Sequence, residues 1–146
     1  MGKFEFRLQK VLDIKVKSEE ESKIRYSRAQ NEKRIVEAEL KSLEQNYNKY
    51  ANEINIEDIV KRKITSNYLN SLSNTINVKS NELIKREDLL VEARLDLLNK
   101  QVERKSLEKL KENKFKLYKK TEEQKEQATN DEFGMYSFLR KKAECV

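Results

Sequence analysis

Carboxylate and thiol side chains are the groups of this sequence that could carry out acid–base or covalent chemistry. Carboxylates occur in runs, as at Glu19 to Glu21 and at Glu122 and Glu123, and the one cysteine is Cys145. The chain has no histidine, so no imidazole can act as a near-neutral general base, activate a nucleophile or bind a metal. Adjacent helical residues point about 100° apart, so we interpret the carboxylate runs as solvated helix surface.

Cofactor and metal sites are not indicated either. Glycine occurs only at Gly2 and Gly134, which excludes a glycine-rich phosphate loop. A lone Cys145 forms neither an internal disulfide nor a metal cluster, and we interpret it as an exposed thiol. The sequence therefore predicts no enzyme, no cofactor and no metal.

The composition predicts long helices. Charged residues make up 40% of the 146 residues, apolar residues 36%, and proline is absent. Strong helix formers dominate, and long helices with few apolar residues pair as coiled coils. The longest apolar run in the body of the chain is Leu89 to Val91, far too short to span a bilayer, so we expect a cytoplasmic protein.

A first heptad seam predicts one partner of this coiled coil. Apolar residues follow the a/d spacing of four and three over Val36, Leu40, Leu43, Tyr47, Tyr50 and Ile54. The same phase traced backward is apolar at Leu8 and Leu12 but polar from Lys15 to Lys23. We interpret the polar part as a looser or solvent-facing stretch where the partner helix is absent.

A second seam repeats every seven residues through Leu69, Ile76, Leu83, Leu90 and Leu97. Its companion positions are Leu72, Lys79, Arg86, Ala93 and Lys100, where basic side chains can lay their methylenes along apolar surface. Beyond Leu97 we predict a shifted register that runs through Leu107, Leu110 and Leu117.

These seams predict an all-α fold, a long two-helix antiparallel coiled coil (α-hairpin) forming a single elongated domain over residues 1–146. Helix one is expected over about residues 5–52, the reversal at about 52–57 and helix two over about 58–142. Asn55, followed by Glu57 and Asp58, has the pattern of a helix N-cap with acids in the first turn. Antiparallel pairing brings the start of the chain beside the distal half of helix two.

Positive charge is concentrated in one segment. Residues 100–120 carry nine Lys or Arg and three Glu, a surplus of six that equals the net charge of the whole chain. The basic belt comprises Lys100, Arg104, Lys105, Lys109, Lys111, Lys114 and Lys116. It indicates an acidic protein surface, nucleic acid or an anionic membrane as partner, and we favour the acidic protein surface. Nucleic acid is not expected, because Phe115 and Tyr118 alone are placed to stack on bases and no reader motif frames them.

Several segments, in order along the chain, resemble the bacterial flagellar export protein family FliJ. They are KFEFRLQKVLDIK at 3–15, YNKYANEI at 47–54, NYLNSL at 67–72, ERKSLEKLKE at 103–112 and NDEF at 130–133. The opening F-x-F-R-L-x-x-V-L-D pattern is the most specific of them.

The resemblance implies a non-catalytic, stalk-like component of the flagellar type III export apparatus. Members of this family bind the centre of the hexameric export ATPase, promote its assembly and activity, and engage the membrane export gate and export chaperones. The implied location is the cytoplasm, peripherally at the membrane. The implied ATPase-binding tip joins the two chain ends: Phe4, Phe6, Arg7, Leu8, Val11 and Leu12 with Asp131, Glu132 and Phe133. The implied export-gate contact is Tyr68, Leu72 and Lys79.

The residues themselves qualify these assignments. Leu8, Leu12 and Leu72 lie on the seam phase and are expected to pack there, whereas Phe4 and Arg7 lie off it and are expected to form a contact surface. A structural scaffold or chaperone-like clamp is the alternative, and a nucleic-acid-binding rod is a third. A stalk is expected to be monomeric, whereas a scaffold should oligomerise through its seams.

Overall fold

The computed structural model describes residues 2–54 and 58–145 of the chain. Two helices account for most of them, α1 (Gln9–Asn52) and α2 (Ile59–Glu144), of 44 and 86 residues. No strand occurs within these two described ranges. The helices pack against each other, which confirms the predicted all-α helical hairpin.

Contacts divide the chain into two compact units. Unit 1 contains Met1–Val16 and Val102–Val146, and unit 2 contains Lys17–Gln101.

Unit 2 is an antiparallel helix pair with constant register. Contacting pairs are Ser22 with Asp96, Glu32 with Arg86, Glu39 with Lys79, and Tyr50 with Tyr68. Advances of ten, seven and eleven residues along α1 are matched by equal retreats along α2. An uninterrupted register of this kind requires that both helices keep the heptad repeat of a coiled coil.

The core of unit 2 lies on the two predicted seams. Val36 is 5% exposed, Leu69 8% and Leu72 7%, and the other predicted seam positions of unit 2 are half-buried. Lys79 and Arg86 are among these half-buried residues, with their charged ends on Glu39 and Glu32. The companion positions therefore hold long basic side chains in the interface, as the sequence predicted.

The prediction that α1 lacks a partner over its polar stretch is wrong. Ser22 is 1% exposed and Glu19 3%. The Ser22 hydroxyl donates to Asp96 Oδ2 at 2.5 Å, and Arg25 Nη2 lies 3.4 Å from the same oxygen. A buried polar group is tolerated when it is hydrogen-bonded, so the seam continues here as a polar layer.

The first helix begins later than expected, at Gln9 instead of about residue 5. The Gln9 amide donates to Phe6 O at 3.0 Å in a turn, and the Leu12 amide makes a helical bond to Leu8 O at 2.9 Å. Residues 2–6 are outside regular structure, because Phe4 packs against α2, as described below.

The N-cap of α2 also differs from the prediction. Asp58 caps the helix: its carboxylate accepts from the Val60 amide at 3.0 Å, and its carbonyl from the Arg62 amide at 3.0 Å. Asp58 therefore precedes the first turn instead of lying within it. Asn55 and Glu57, and with them most of the predicted reversal, lie outside the described residues.

The predicted register shift in α2 is wrong. In unit 1 the half-buried positions of this helix include Arg104, Leu107, Lys111 and Tyr118, which continue the heptad without a shift. Leu110 and Leu117 are 38% and 60% exposed. Apart from Leu107, basic and aromatic residues occupy these packing positions, so the spacing of the apolar residues indicated the wrong face.

No helix within residues 2–54 and 58–145 is both long and apolar enough to cross a membrane.

Leu72→Ala should destabilise the fold by about 2–3 kcal/mol, the cost of emptying a buried leucine site. Val78→Ala is the matched control, because Val78 is 66% exposed on the same helix and its replacement should change stability by less than about 0.5 kcal/mol. Urea denaturation followed by circular dichroism measures both. Equal losses in the two variants would show that Leu72 is not part of the core.

Candidate interaction surfaces

The start of the chain forms an N-terminal hook, defined here as residues 2–8, that folds onto α2 within unit 1. The Phe4 ring packs edge-on against Phe115, with centroids 5.3 Å apart, and tilted against Tyr118 at 5.5 Å. The Tyr118 hydroxyl donates to the Gly2 carbonyl. Aromatic pairs of this geometry contribute beyond their buried area, so they hold a segment that would otherwise fray.

A groove of about 570 Å³ runs between the hook and α2. Its walls include Phe4, Phe6, Leu8, Leu110, Lys114 and Tyr118. Such an aromatic and aliphatic surface, with a lysine at its edge, is suited to bind an apolar side chain of a partner that has an acidic residue beside it.

The structure separates the predicted tip residues near the start of the chain into three kinds. Leu12 is buried at 5% exposure, as its seam position predicted. Phe4 and Phe6 are half-buried, so the expectation that Phe4 is an exposed contact is wrong: it anchors the hook through intramolecular ring contacts. Exposed surface is offered by Arg7, Leu8 and Val11. The expectation that Leu8 packs in the seam is therefore wrong, because Leu8 precedes the helix and is 37% exposed.

The remaining predicted tip residues, Asp131, Glu132 and Phe133, are not brought to the hook. They are exposed residues of α2, and Asp131 follows Tyr118 by 13 residues, roughly 20 Å along a helix axis. All residues from 123 to 145 are exposed, and Phe133 is 69% exposed. The exposed Cys145 matches its prediction. The expected joining of the two chain ends is therefore wrong, because α2 continues well past the hook.

The basic belt is divided between two faces of α2. At roughly 100° per residue, the unit 1 residues Arg104, Lys111 and Lys114 share the face toward the hook. Lys105, Lys109 and Lys116 form an outer row on the opposite face, and Lys100 belongs to unit 2.

Glutamates partly neutralise the belt. Lys116 lies 3.0 Å and Lys109 4.0 Å from Glu112, and the hydrogen bond from Lys116, with the charge of Lys109, holds the pKa of Glu112 below its ordinary value. Arg104 lies 2.8 Å from Glu108. The outer row therefore keeps a net positive charge in a partly paired, ordered arrangement.

The predicted export-gate residues lie in unit 2. Leu72 is in the core, and the Tyr68 ring packs edge-on against Tyr50 at 5.0 Å while remaining 43% exposed. Lys79 lies 2.7 Å from Glu39 and 3.3 Å from Glu82, and these hydrogen bonds, Glu39 first, raise the pKa of Lys79 above its ordinary value of 10.5. Tyr68 thus offers the largest accessible surface of the three.

Two supporting residues were missed from sequence. Phe115 and Tyr118 were considered only as possible base-stacking groups, yet they hold the hook. The sequence did contain a signal for this role. Phe115 and Tyr118 are three residues apart, and the aromatic start of the chain was predicted to lie beside this part of helix two.

An antiparallel helix pair with an N-terminal hook places this chain in the class of small helical-hairpin coiled-coil proteins. The family model described as Flagellar FliJ protein matches residues 4–143, and the chain belongs to that family. Membership implies a role in flagellar export, with partners in the export apparatus. No curated protein and no solved structure gives a significant match.

Phe4→Ala should release the hook. Losing the ring contacts to Phe115 and Tyr118 should cost about 1–2 kcal/mol locally, and exchange of the Gln9 and Leu12 amides should accelerate roughly tenfold. Hydrogen exchange resolved by mass spectrometry measures this. Phe133→Ala, at a 69% exposed position, is the control and should leave the hook amides unchanged. Unaltered exchange in Phe4→Ala would show that the rings do not hold the hook.

Proposed function

We propose that this chain binds the hexameric flagellar export ATPase through unit 1 and promotes assembly and activity of the ring. The observation that carries the proposal is the hook held against α2 by Phe4, Phe115 and Tyr118. The hook contains the start of the sequence segment most specific to the family. Because the hook is already ordered, a partner that binds it would not have to offset the entropy cost of ordering it.

Two surfaces of unit 1 support such an interaction. Arg7, Leu8 and Val11 expose a mixed basic and apolar surface beside the groove, and arginine with apolar anchors is typical of energetic contacts. On the opposite face of α2, the outer row Lys105, Lys109 and Lys116 would accelerate approach to acidic loops of the ring.

Unit 2 would then engage the membrane export gate and the export chaperones. The exposed edge of Tyr68, fixed by Tyr50, is the part of the predicted gate contact that remains accessible to a partner. Leu72 would support it from the core, and Lys79 would keep α1 in register through Glu39. We propose a cytoplasmic location, peripherally at the membrane, on the same basis.

Reversing the outer row should weaken ATPase binding in a salt-dependent way. We expect Lys105→Glu, Lys109→Glu and Lys116→Glu together to lower the affinity at least about tenfold at 0.01 M salt and much less at 0.15 M, because the Debye length falls from about 30 to about 8 Å. Surface plasmon resonance with the purified ATPase measures both. The control Lys41→Glu, Lys61→Glu and Lys63→Glu reverses three exposed bases of unit 2 and should retain more affinity. Equal losses of affinity in the two variants would show that the net charge of the chain, and not the outer row, determines binding.

Deleting the hook should abolish stimulation of ATP hydrolysis. A chain that begins at Gln9 keeps α1 intact but lacks Arg7, Leu8 and the anchor Phe4, so steady-state hydrolysis by the ATPase should fall to its unstimulated rate. Circular dichroism checks that the helices persist. Full stimulation of ATP hydrolysis by the shortened chain would show that the hook is not part of the ATPase interface.

A further inference from the structure

Bases outnumber acids on the concave surface around the hook. The groove and a neighbouring depression of about 770 Å³ are lined by five basic residues in all, Lys3, Arg7, Lys10, Lys111 and Lys114. Among the residues that line them, Glu5 is the one acid. A concave surface with an excess of one charge focuses the electrostatic field, so this surface attracts anions.

The five bases are not neutralised by carboxylates of the same chain. Within residues 2–54 and 58–145, none of them forms an ion pair. In the outer row, by contrast, Lys109 and Lys116 lie 4.0 and 3.0 Å from Glu112. Like charges held close together repel one another, and a bound carboxylate relieves that repulsion. The hook side of α2 therefore has positive charge available for a ligand.

The groove combines this charge with apolar walls. Leu8 and Leu110 line it together with aromatic rings, and its volume of about 570 Å³ lies within the roughly 300–1,000 Å³ typical of ligand pockets. An anionic membrane presents a flat surface of headgroups, which does not fill a groove. Phe115 and Tyr118 pack on Phe4, so the aromatic pair that could stack on nucleic-acid bases holds the hook instead.

We infer that the groove binds a short acidic segment of a partner protein, with one apolar side chain between the hook and α2 and neighbouring carboxylates on the surrounding bases. The bases are distributed over two depressions, so a ligand that meets several of them needs several carboxylates. An acidic peptide segment supplies these, whereas a small monocarboxylic acid does not.

The inference deepens the proposed function, because it names the chemistry that the hook side of unit 1 recognises. It rests on that function for the identity of the partner only, since binding of an acidic segment is measured with the ATPase absent.

Three short dye-labelled synthetic peptides test the inference. The acidic peptide carries a central phenylalanine among aspartates and glutamates, the second has alanine in place of the phenylalanine, and the third has lysine in place of every acid. Fluorescence anisotropy with the full chain at physiological salt should show the acidic peptide binding at least about tenfold tighter than either of the others. Equal affinity with phenylalanine or alanine would overturn the inference, because charge would then attract the peptide without the groove.

Arg7→Glu with Lys114→Glu should lower the affinity for the acidic peptide at least about tenfold and strengthen binding of the lysine peptide. The matched control is Lys109→Glu with Lys116→Glu, on the face of α2 away from the hook. It changes the net charge equally and should alter the affinity less than about threefold, because salt screens distant charges. Hydrogen exchange of the amides in the first turn of α1 confirms that each variant keeps the hook. Equal losses in the two variants would contradict the inference.

Other ligands are distinguished by the same variants. Oligothymidine or vesicles of anionic phospholipid that bind as tightly as the acidic peptide, and lose affinity in Arg7→Glu with Lys114→Glu, would overturn the inference. So would a dimer in light scattering that those two substitutions convert to monomer, since a second copy would then supply the acidic segment. Peptide binding without stimulation of the ATPase would contradict the proposed function and support the assignment of the groove.

Discussion

Unit 2 depends on one narrow interface, the seam between one face of α1 and one face of α2. Each helix contributes little apolar surface, and Val36, Leu69 and Leu72 are its buried apolar residues. At roughly 25 cal/mol per Å² of buried apolar area, such an interface holds the helices together only if register is kept along its whole length. Two packed helices leave their other faces in solvent, so the same constraint that limits stability leaves much of the surface accessible to partners.

Polar contacts within the seam specify that register. Ser22 and Asp96 meet in its buried layer, and Arg86 and Lys79 reach across to Glu32 and Glu39. Exposed or half-exposed ion pairs add little stability, but sliding the helices by one heptad would bury the Ser22 hydroxyl away from Asp96, which is costly. Apolar residues therefore supply the attraction, whereas the polar layer excludes competing registers.

The two seams and the antiparallel order could be predicted, because heptad spacing repeats many times and errors at single positions average out. Local exceptions could not. The sequence predicts Ser22 to be solvent-exposed, because the position of Asp96 opposite it is known only from the structure. The apolar spacing likewise predicts Leu110 to lie in the seam, although it lines the groove beside the hook. Phe4 was expected to be exposed, because the helical phase was extended into a segment that is not helical. The candidate site was thus predicted as a region, and the roles of its residues required the contacts between the hook and α2.

Beyond the hook, α2 continues to Glu144, and every residue from 123 to 145 is exposed. A helix without tertiary contacts is marginal in water even when its residues favour helix, because nucleation is unfavourable and each turn adds little. This part of α2 therefore has the lowest local stability within the described portion of the helix. A partner that binds its helical form stabilises it by mass action. The family match extends to residue 143, so the exposed aromatic residues Phe133, Tyr136 and Phe138 lie within the part of the chain that the family model covers. Binding of a partner to these side chains would therefore raise the local stability of the end of α2.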